Sequence, residues 1–169
     1  MAQYNPDPIN LGFVNVEQEN KYWCWAALVQ QVLKPRSYGM PPSQCQIVNM
    51  ANEEQGINGL NCCANPEDKR CSRLGSFVEM REIINRYGGE MKRVDLPETP
   101  EDVYALISEG WALIAQVKIE DYMHIYLIDG IGWRGEEAVL NINDPAKPGR
   151  QHIPFAQSRP AWVATVAVK

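Results

Sequence analysis

The residue types that could carry covalent chemistry are few in this chain of 169 residues, which has five cysteines and two histidines. Cys24 precedes apolar residues at positions 25, 28, 29, 32 and 33, and Pro35 follows them. This spacing predicts a helix that begins at or near Cys24 and ends before the proline. At a helix N-terminus the partial positive charge of the aligned peptide dipoles favours a thiolate, which is the nucleophilic form of cysteine.

A cysteine nucleophile is activated by a nearby base, and histidine is the usual one. His124 opens an apolar run typical of a strand, so its side chain could lie at the rim of a sheet and meet the end of a helix. His152 follows a loop rich in proline and glycine. We therefore favour His124 over His152 as the base.

A third polar group must hold the imidazole in the correct tautomer. Asp144 ends a predicted strand just before Pro145, and a hairpin turning near 134–137 would bring it back beside His124. Asn143 is the alternative for the same role. An oxyanion formed on a substrate needs hydrogen-bond donors. The backbone N–H of Cys24 is one candidate, and the side-chain amide of Gln18, six residues upstream, is the second.

The elements that would position these residues fall into two groups along the chain. Helical patterns come first, in the segments that begin at Cys24, Ser43, Ser76 and Thr99. Strand patterns follow at 111–119, 124–133, 138–142, 151–155 and 161–168. This order predicts an α+β domain in which the Cys24 helix packs on a C-terminal antiparallel sheet. The length suits a single domain over 1–169, with residues 1–15 as an extended lead-in.

The composition excludes some partners. The formal net charge is −5 and the charges are scattered, which argues against nucleic acid as the main partner because phosphate binding needs a basic patch. No apolar stretch approaches the ~20 residues that span a bilayer, so no membrane association is expected. The N-terminus shows neither a basic nor an apolar signal segment. We expect a cytosolic protein, one exported by a specialised route, or one whose signal was removed.

The four other cysteines, Cys45, Cys62, Cys63 and Cys71, have no assigned role from spacing alone. They could form two disulfides, which would imply an oxidising destination, or remain thiols in a loop. A zinc site is disfavoured because paired C-x2-C knuckles are missing. Free thiols are our default prediction for these four residues.

The order of these motifs resembles the papain superfamily of cysteine peptidases. Gln18, five intervening residues and then Cys24-Trp25-Ala26 resemble the papain segment in which a glutamine precedes the nucleophile. Lys21-Tyr22-Trp23 stands where papain has Cys-Gly-Ser, which is a departure from that family. The second half is more similar to a bacterial branch that includes bacteriocin-leader peptidases and secreted effector proteases. Its strand after Gly110, its histidine at 124 and its Asn-Asp-Pro at 143–145 carry that similarity.

This resemblance implies a papain-like thiol peptidase that needs no cofactor or metal. Cys24 would be the nucleophile, His124 the base and acid, Asp144 the orienting group and Gln18 an oxyanion donor. The partner would be a peptide or protein substrate, with a dedicated transporter or an immunity protein as a further partner. Two alternatives remain open. The same thioester chemistry serves transglutaminases, amidases and deamidases, and an inactive relative could simply bind peptides.

Overall fold

The computed structural model describes residues 5–35 and 40–169, so the first four residues of the predicted lead-in lie outside the described residues. The helices are α1 Cys24–Leu33, α2 Gln44–Glu54, α3 Phe77–Arg86, α4 Pro100–Ser108 and α5 Phe155–Ser158. The strands are β1 Ile9–Asn10, β2 Met91–Val94, β3 Ala112–Ile119, β4 Tyr122–Arg134, β5 Glu137–Asn143, β6 Arg150–Pro154 and β7 Trp162–Val168. Within the described ranges, no helix is long and apolar enough to cross a membrane.

Local sequence explains where three of the helices begin. Ser43, Ser76 and Thr99 each accept a hydrogen bond from the backbone N–H three residues later, and the side chain at that position bonds back to the cap residue. These reciprocal capping boxes satisfy backbone donors that a helix start leaves free. The N-cap of α1 is Trp23, which provides no side-chain hydrogen bond. The first turn of α1 therefore keeps its backbone N–H groups unmasked by any capping side chain.

The strands form one antiparallel sheet in the order β2-β7-β3-β4-β5-β6, and β1 pairs with β4 beside this path. Antiparallel neighbours along the chain are joined by short connections, as between β3 and β4 and between β4 and β5. This arrangement confirms the predicted α+β class: α1, α2 and α3 lie in the N-terminal half, and every strand except β1 lies in the C-terminal half.

Both faces of the sheet are covered. Alternate residues of β3 face opposite sides, because Ala112 and Ile114 belong to one buried cluster while Leu113 and Ala115 belong to the other. Helices α1, α2 and α3 pack on the first face. Helices α4 and α5 contribute Val103, Ile107 and Phe155 to the second. Cys24 lies in the first cluster, so α1 is held against the sheet as the sequence predicts.

The strand that carries His124 begins earlier than predicted. His124 is the third residue of β4, since Tyr122 and Met123 already pair with Ile119 and Lys118 of β3. The prediction that His124 opens the strand is therefore wrong by two residues. The tight connection through Glu120, which has a positive φ of 52°, allows the pairing to extend this far. The sequence pattern also missed β1 and β2, which are short and lie outside the long apolar runs.

The four remaining cysteines form two disulfides, Cys45–Cys63 and Cys62–Cys71. The default prediction of free thiols is wrong for these residues. The first bridge, with a sequence separation of 18, attaches the segment after α2 to that helix, and the second, with a separation of 9, closes a loop within that segment. Cys24 is left as the one free cysteine among the five, all of which lie in the described ranges.

The lead-in is fastened to the sheet through the buried Asp129. Its carboxylate accepts a hydrogen bond of 2.9 Å from the Phe13 N–H and contacts Arg150 at 2.8 Å. Burial raises the pKa of Asp129, although the neighbouring Arg150 works in the opposite direction. Arg150 also donates to the carbonyl of Phe13. The segment before α1 therefore runs along a fixed path toward the helix start.

Candidate active site

Cys24 is the first residue of α1 and is 96% buried, with 4% of its surface exposed. The backbone N–H groups of a first helical turn have no acceptor within the helix. Because no side chain caps α1, these groups and the helix dipole act on the region around the Cys24 sulfur. The free thiol is therefore placed where the helix start can stabilise a negative charge on a group bound next to it.

His124 lies between Cys24 and Asp144. Its Nε2 is 2.6 Å from Asp144 Oδ1, and both side chains are largely buried. The Cys24 side chain lies near enough to the imidazole to affect its pKa, and both residues line the same cavity. Because Nε2 is bound to the carboxylate, Nδ1 is the ring nitrogen left for the sulfur. The structure thus brings together, in one row, three side chains that lie 20 to 120 positions apart in the sequence.

The charges of this row reinforce each other. Burial disfavours an imidazolium, but the hydrogen bonds and charges of Asp144 and Cys24 outweigh it and raise the pKa of His124 from 6.5 to about 9. The pKa of Asp144 is lowered, since the bond to His124 and the N–H of Ala146 outweigh the effect of burial. At neutral pH the pair is therefore an imidazolium beside a carboxylate.

A network around 144–149 fixes the position of Asp144. The Ala146 N–H donates to Asp144 Oδ1 at 2.9 Å, and the Lys147 N–H donates to the Asp144 carbonyl. The Asn15 amide nitrogen contacts the carbonyls of Asp144, Lys147 and Gly149 at 3.0, 2.7 and 2.9 Å. Asn143, the alternative from sequence, donates instead to the carbonyl of Phe13. The geometry therefore pairs His124 with Asp144 and turns Asn143 toward the lead-in.

Gln18 lies at the same site and is held by both its backbone and its side chain. Its N–H donates to the carbonyl of Pro145 at 2.9 Å. Its amide nitrogen lies 3.0 Å from the carbonyl of Asn20 and 2.9 Å from that of Lys21. Its amide oxygen is buried and has no hydrogen-bond partner among the residues that the structure describes. The two carbonyls set the orientation of the amide, because turning it over would place its oxygen against them.

A cavity of about 270 Å³ opens beside these groups, and it is lined by Cys24, His124 and Gln18 together with Lys21, Tyr22, Leu74, Tyr122, Met123 and Ala146. Three of the additional side chains, Tyr22, Leu74 and Tyr122, are exposed. Exposed apolar side chains grouped around a reactive residue are typical of a binding cleft. No local sequence pattern points to these additional residues, because four separate segments of the chain bring them together.

The indole rings on either side of Cys24 anchor the start of α1. Trp23 Nε1–H donates to the carbonyl of Cys71 at 2.8 Å, and Trp25 Nε1–H donates to the carbonyl of Arg73 at 3.1 Å. Both rings are buried. Trp23 is therefore not an exposed wall of the cavity. The segment closed by the disulfides supplies one of these acceptors directly, so it helps to fix the position of Cys24.

Gly75 provides a test of this anchoring. A methyl group at Gly75 would lie 2.2 Å from the Trp25 ring, and the ring is fully buried. We expect Gly75→Ala to displace Trp25 and Cys24, to destabilise the fold by about 1–3 kcal/mol and to slow iodoacetamide alkylation of Cys24 about tenfold or more. Thermal unfolding and mass-spectrometric labelling rates measure the two effects.

Gly135→Ala is the matched control for this substitution. Gly135 has a positive φ of 60° in the turn between β4 and β5, and its methyl group would meet nothing. We expect a stability loss of about 1 kcal/mol from backbone strain, with an unchanged alkylation rate. Equal alkylation rates in both variants would contradict the role of Trp25 in placing Cys24.

His152, the second histidine, lies elsewhere. It is exposed on β6, and its Nδ1 is 2.8 Å from the side-chain oxygen of Asn141. It belongs to a different surface depression, which includes Trp133 and Ile131 and does not include Cys24. The structure therefore places His124 beside Cys24 and His152 in a separate depression.

Comparisons with known proteins identify the fold. No protein-family model matches the chain, and no curated protein is similar to it in sequence. Solved structures do match. The peptidase domain of Streptococcus ComA, a bi-functional ABC transporter of a quorum-sensing pathway, is similar with a TM-score of 0.61 at 15% identity, over 94% of this chain and 97% of that one.

Two further structures support the same assignment. A double-glycine-motif protease from an AMS/PCAT transporter, solved with its leader peptide, matches with a TM-score of 0.55 at 20% identity, over 98% of this chain and 96% of that one. A Bacillus anthracis protein described as a C39-like peptidase matches with a TM-score of 0.61 at 11% identity, over 97% and 98%. The chain therefore has the papain-like fold of the C39 peptidase domains.

Proposed function

We propose that the protein is a cysteine peptidase that cleaves a peptide or protein through a thioester formed on Cys24. The observation that carries this proposal is the row of Cys24, His124 and Asp144 beside a cavity, with the free thiol at an uncapped helix start. Similarity to peptidase domains of the same fold supports it. An inactive peptide-binding relative would have no need for a histidine that bridges the thiol and a carboxylate.

In the first half of the reaction, the Cys24 thiolate attacks the carbonyl carbon of the scissile peptide bond. The negative charge moves to the carbonyl oxygen, where the Cys24 N–H and a Gln18 amide N–H donate to it. This role for Gln18 requires the adjacent carbonyls of Asn20 and Lys21 to share one amide hydrogen, which leaves the second for the oxyanion. The His124 imidazolium then gives its proton to the leaving nitrogen as the C–N bond breaks.

In the second half, His124 is neutral and acts as the base. It removes a proton from water, which attacks the thioester carbon and releases the acid while the Cys24 thiolate is restored. Asp144 keeps Nε2 occupied, so Nδ1 faces the sulfur and the substrate in both halves. These residues explain how the thioester forms. Whether water or an amine then attacks the thioester decides between hydrolysis and amine transfer.

The substrate and the compartment are part of the proposal. One neighbour is a protease solved with its leader peptide, and another is a domain of an ABC transporter, which supports a peptide substrate and a transporter as partner. The two disulfides favour an oxidising destination, because such bonds persist outside reducing compartments. We therefore favour action after export over action in the cytosol.

A mass-spectrometric assay with a proteome-derived peptide library tests this function. New termini that appear with the wild-type protein and are absent after iodoacetamide treatment support peptide hydrolysis. Deamidated glutamines or crosslinked peptides, without new termini, would replace hydrolysis by another reaction of the same thioester. Peptide retention with no covalent change, together with a slowly alkylated Cys24, would contradict enzymatic function.

A further inference from the structure

Gln44 is a buried polar residue that lies outside the reacting row and bonds to the segment that carries Gln18. It is the first residue of α2 and has no exposed surface. Its side-chain oxygen accepts from the Glu19 N–H at 2.9 Å, and its side-chain nitrogen donates to the Glu17 carbonyl at 2.8 Å. The Gln44 amide therefore bonds to the backbone of the residues on both sides of Gln18, as the backbone of a paired β-strand would.

A third bond connects the same amide to the nucleophile helix. The Gln44 side-chain nitrogen also donates to Gln30 Oε1 on α1 at 3.2 Å, and the Gln30 nitrogen contacts the carbonyl of Pro42. The Gln44 amide thus donates two hydrogen bonds and accepts one. Its partners are Gln30 on α1 and the backbone of Glu17 and Glu19, just before α1. A buried amide with its hydrogen-bonding groups occupied in this way fixes the relative position of the segments it joins.

We propose that Gln44 is a positioning residue that holds the Gln18 amide in place for oxyanion stabilisation. This inference rests on the proposed function, because it assigns the same role to Gln18. The bond from the Gln18 N–H to Pro145 fixes one side of the segment, and Gln44 fixes the other. Without Gln44, the carbonyl of Glu17 and the N–H of Glu19 lose buried partners, and the segment moves to recover them.

The expected result is a loss in kcat that depends on Gln18. Gln18→Ala removes the donor and is expected to lower kcat about 100-fold. Gln44→Leu keeps the side-chain size, removes all three bonds and is expected to lower kcat about tenfold or more, with KM changed less than about twofold. In the Gln18→Ala background, Gln44→Leu should have an effect below about twofold, since no placed amide remains to be lost.

The alkylation rate of Cys24 separates this role from general damage to the site. Iodoacetamide reacts with the thiolate by displacement and forms no oxyanion, so Gln44→Leu should leave the labelling rate unchanged. Gln46→Leu is the matched control, because it changes the same residue type on α2 and removes only the exposed bond to the Ser43 N–H. It should lower the melting temperature slightly and leave kcat unchanged.

Different results would contradict the role of Gln44 and the proposed function. The role of Gln44 would be overturned if Gln44→Leu lowered kcat by the same factor in the wild-type and Gln18→Ala backgrounds. It would also be overturned if the labelling rate of Cys24 fell together with kcat. Neither result would affect the assignment of Cys24 as the nucleophile. Failure of the wild-type protein to cleave any peptide would overturn the proposed function instead. Should Gln44→Leu not fold, Gln44→Glu carries the same test, since it retains the acceptor for Glu19 and loses the donor to Glu17.

Discussion

Replacing Cys24 by alanine is expected to lower peptide cleavage by about 10⁴-fold or more, because no other group of the site can form the acyl intermediate. The other four cysteines are in disulfides, so no second thiol can take over. Alanine suits a helix position and is smaller than cysteine, and we therefore expect the fold to be retained. Cleavage is measured by mass spectrometry on a peptide that the wild-type protein cuts.

Alkylation with iodoacetamide tests the same residue without a peptide substrate. The unreduced wild-type protein should take up a single carbamidomethyl group, and the Cys24→Ala variant should take up none. A variant lacking Cys45 and Cys63 is the control, since it loses one disulfide and keeps the nucleophile; it should be less stable and still cleave. Cleavage by Cys24→Ala at more than about 1% of the wild-type rate would contradict the assignment.

Removing the carboxylate of Asp144 is expected to have the second largest effect. Asp144→Ala leaves the buried His124 without its orienting partner, and we expect kcat/KM to fall about 10²- to 10⁴-fold. The charge of Asp144 also contributes to raising the pKa of His124 to about 9, against the effect of burial. Removal of Asp144 therefore lowers the pKa of His124.

The pH dependence of activity should show this fall in the pKa of His124. The active pair needs a protonated His124 beside the thiolate, so activity declines as pH rises through the pKa of His124. In the wild-type protein this alkaline limb is expected near pH 9, and in Asp144→Ala it should move to lower pH. Asp144→Asn should retain more of kcat, since an amide oxygen can still accept from Nε2–H, while its alkaline limb also moves down.

Asn143→Ala is the control for this comparison, because Asn143 adjoins Asp144 and its amide donates to the carbonyl of Phe13. Its alkaline limb should stay at the wild-type position. If the limb moved in Asn143→Ala and stayed in Asp144→Ala, the orienting role would belong to Asn143. The rate of Cys24 alkylation across the same pH range provides a readout that does not depend on a peptide substrate.

The sequence predicted much of the scaffold because its elements carry strong local patterns. The capping residues Ser43, Ser76 and Thr99 begin helices as expected, and the long apolar runs after Gly110 form the central strands. The short strands β1 and β2 were missed, since their pairing depends on β4 and β7 and not on their own residues. The disulfides were also missed, because cysteine spacing does not determine which sulfurs meet.

For the candidate site, too, the sequence predicted some features and the tertiary structure decided others. The types and spacing of Cys24, Gln18 and the two histidines were sufficient to propose a thiol nucleophile at a helix start. The choice of Asp144 over Asn143 as the neighbour of His124 depended on the turn at 144–149, which several backbone bonds shape together. The roles of Asn15 and Gln44 had no local sequence signal, since each acts on a segment more than 20 positions away.

The sequence by itself determined the chemistry that is available, because residue types set which groups can act as a nucleophile, a base or a hydrogen-bond donor. It also determined the helix that begins at Cys24, because apolar periodicity and proline act locally. The tertiary structure decided which of these groups meet. Packing of α1 on the sheet places the thiol beside His124. The neighbouring Asp144 and Cys24 raise the pKa of that histidine against the effect of burial.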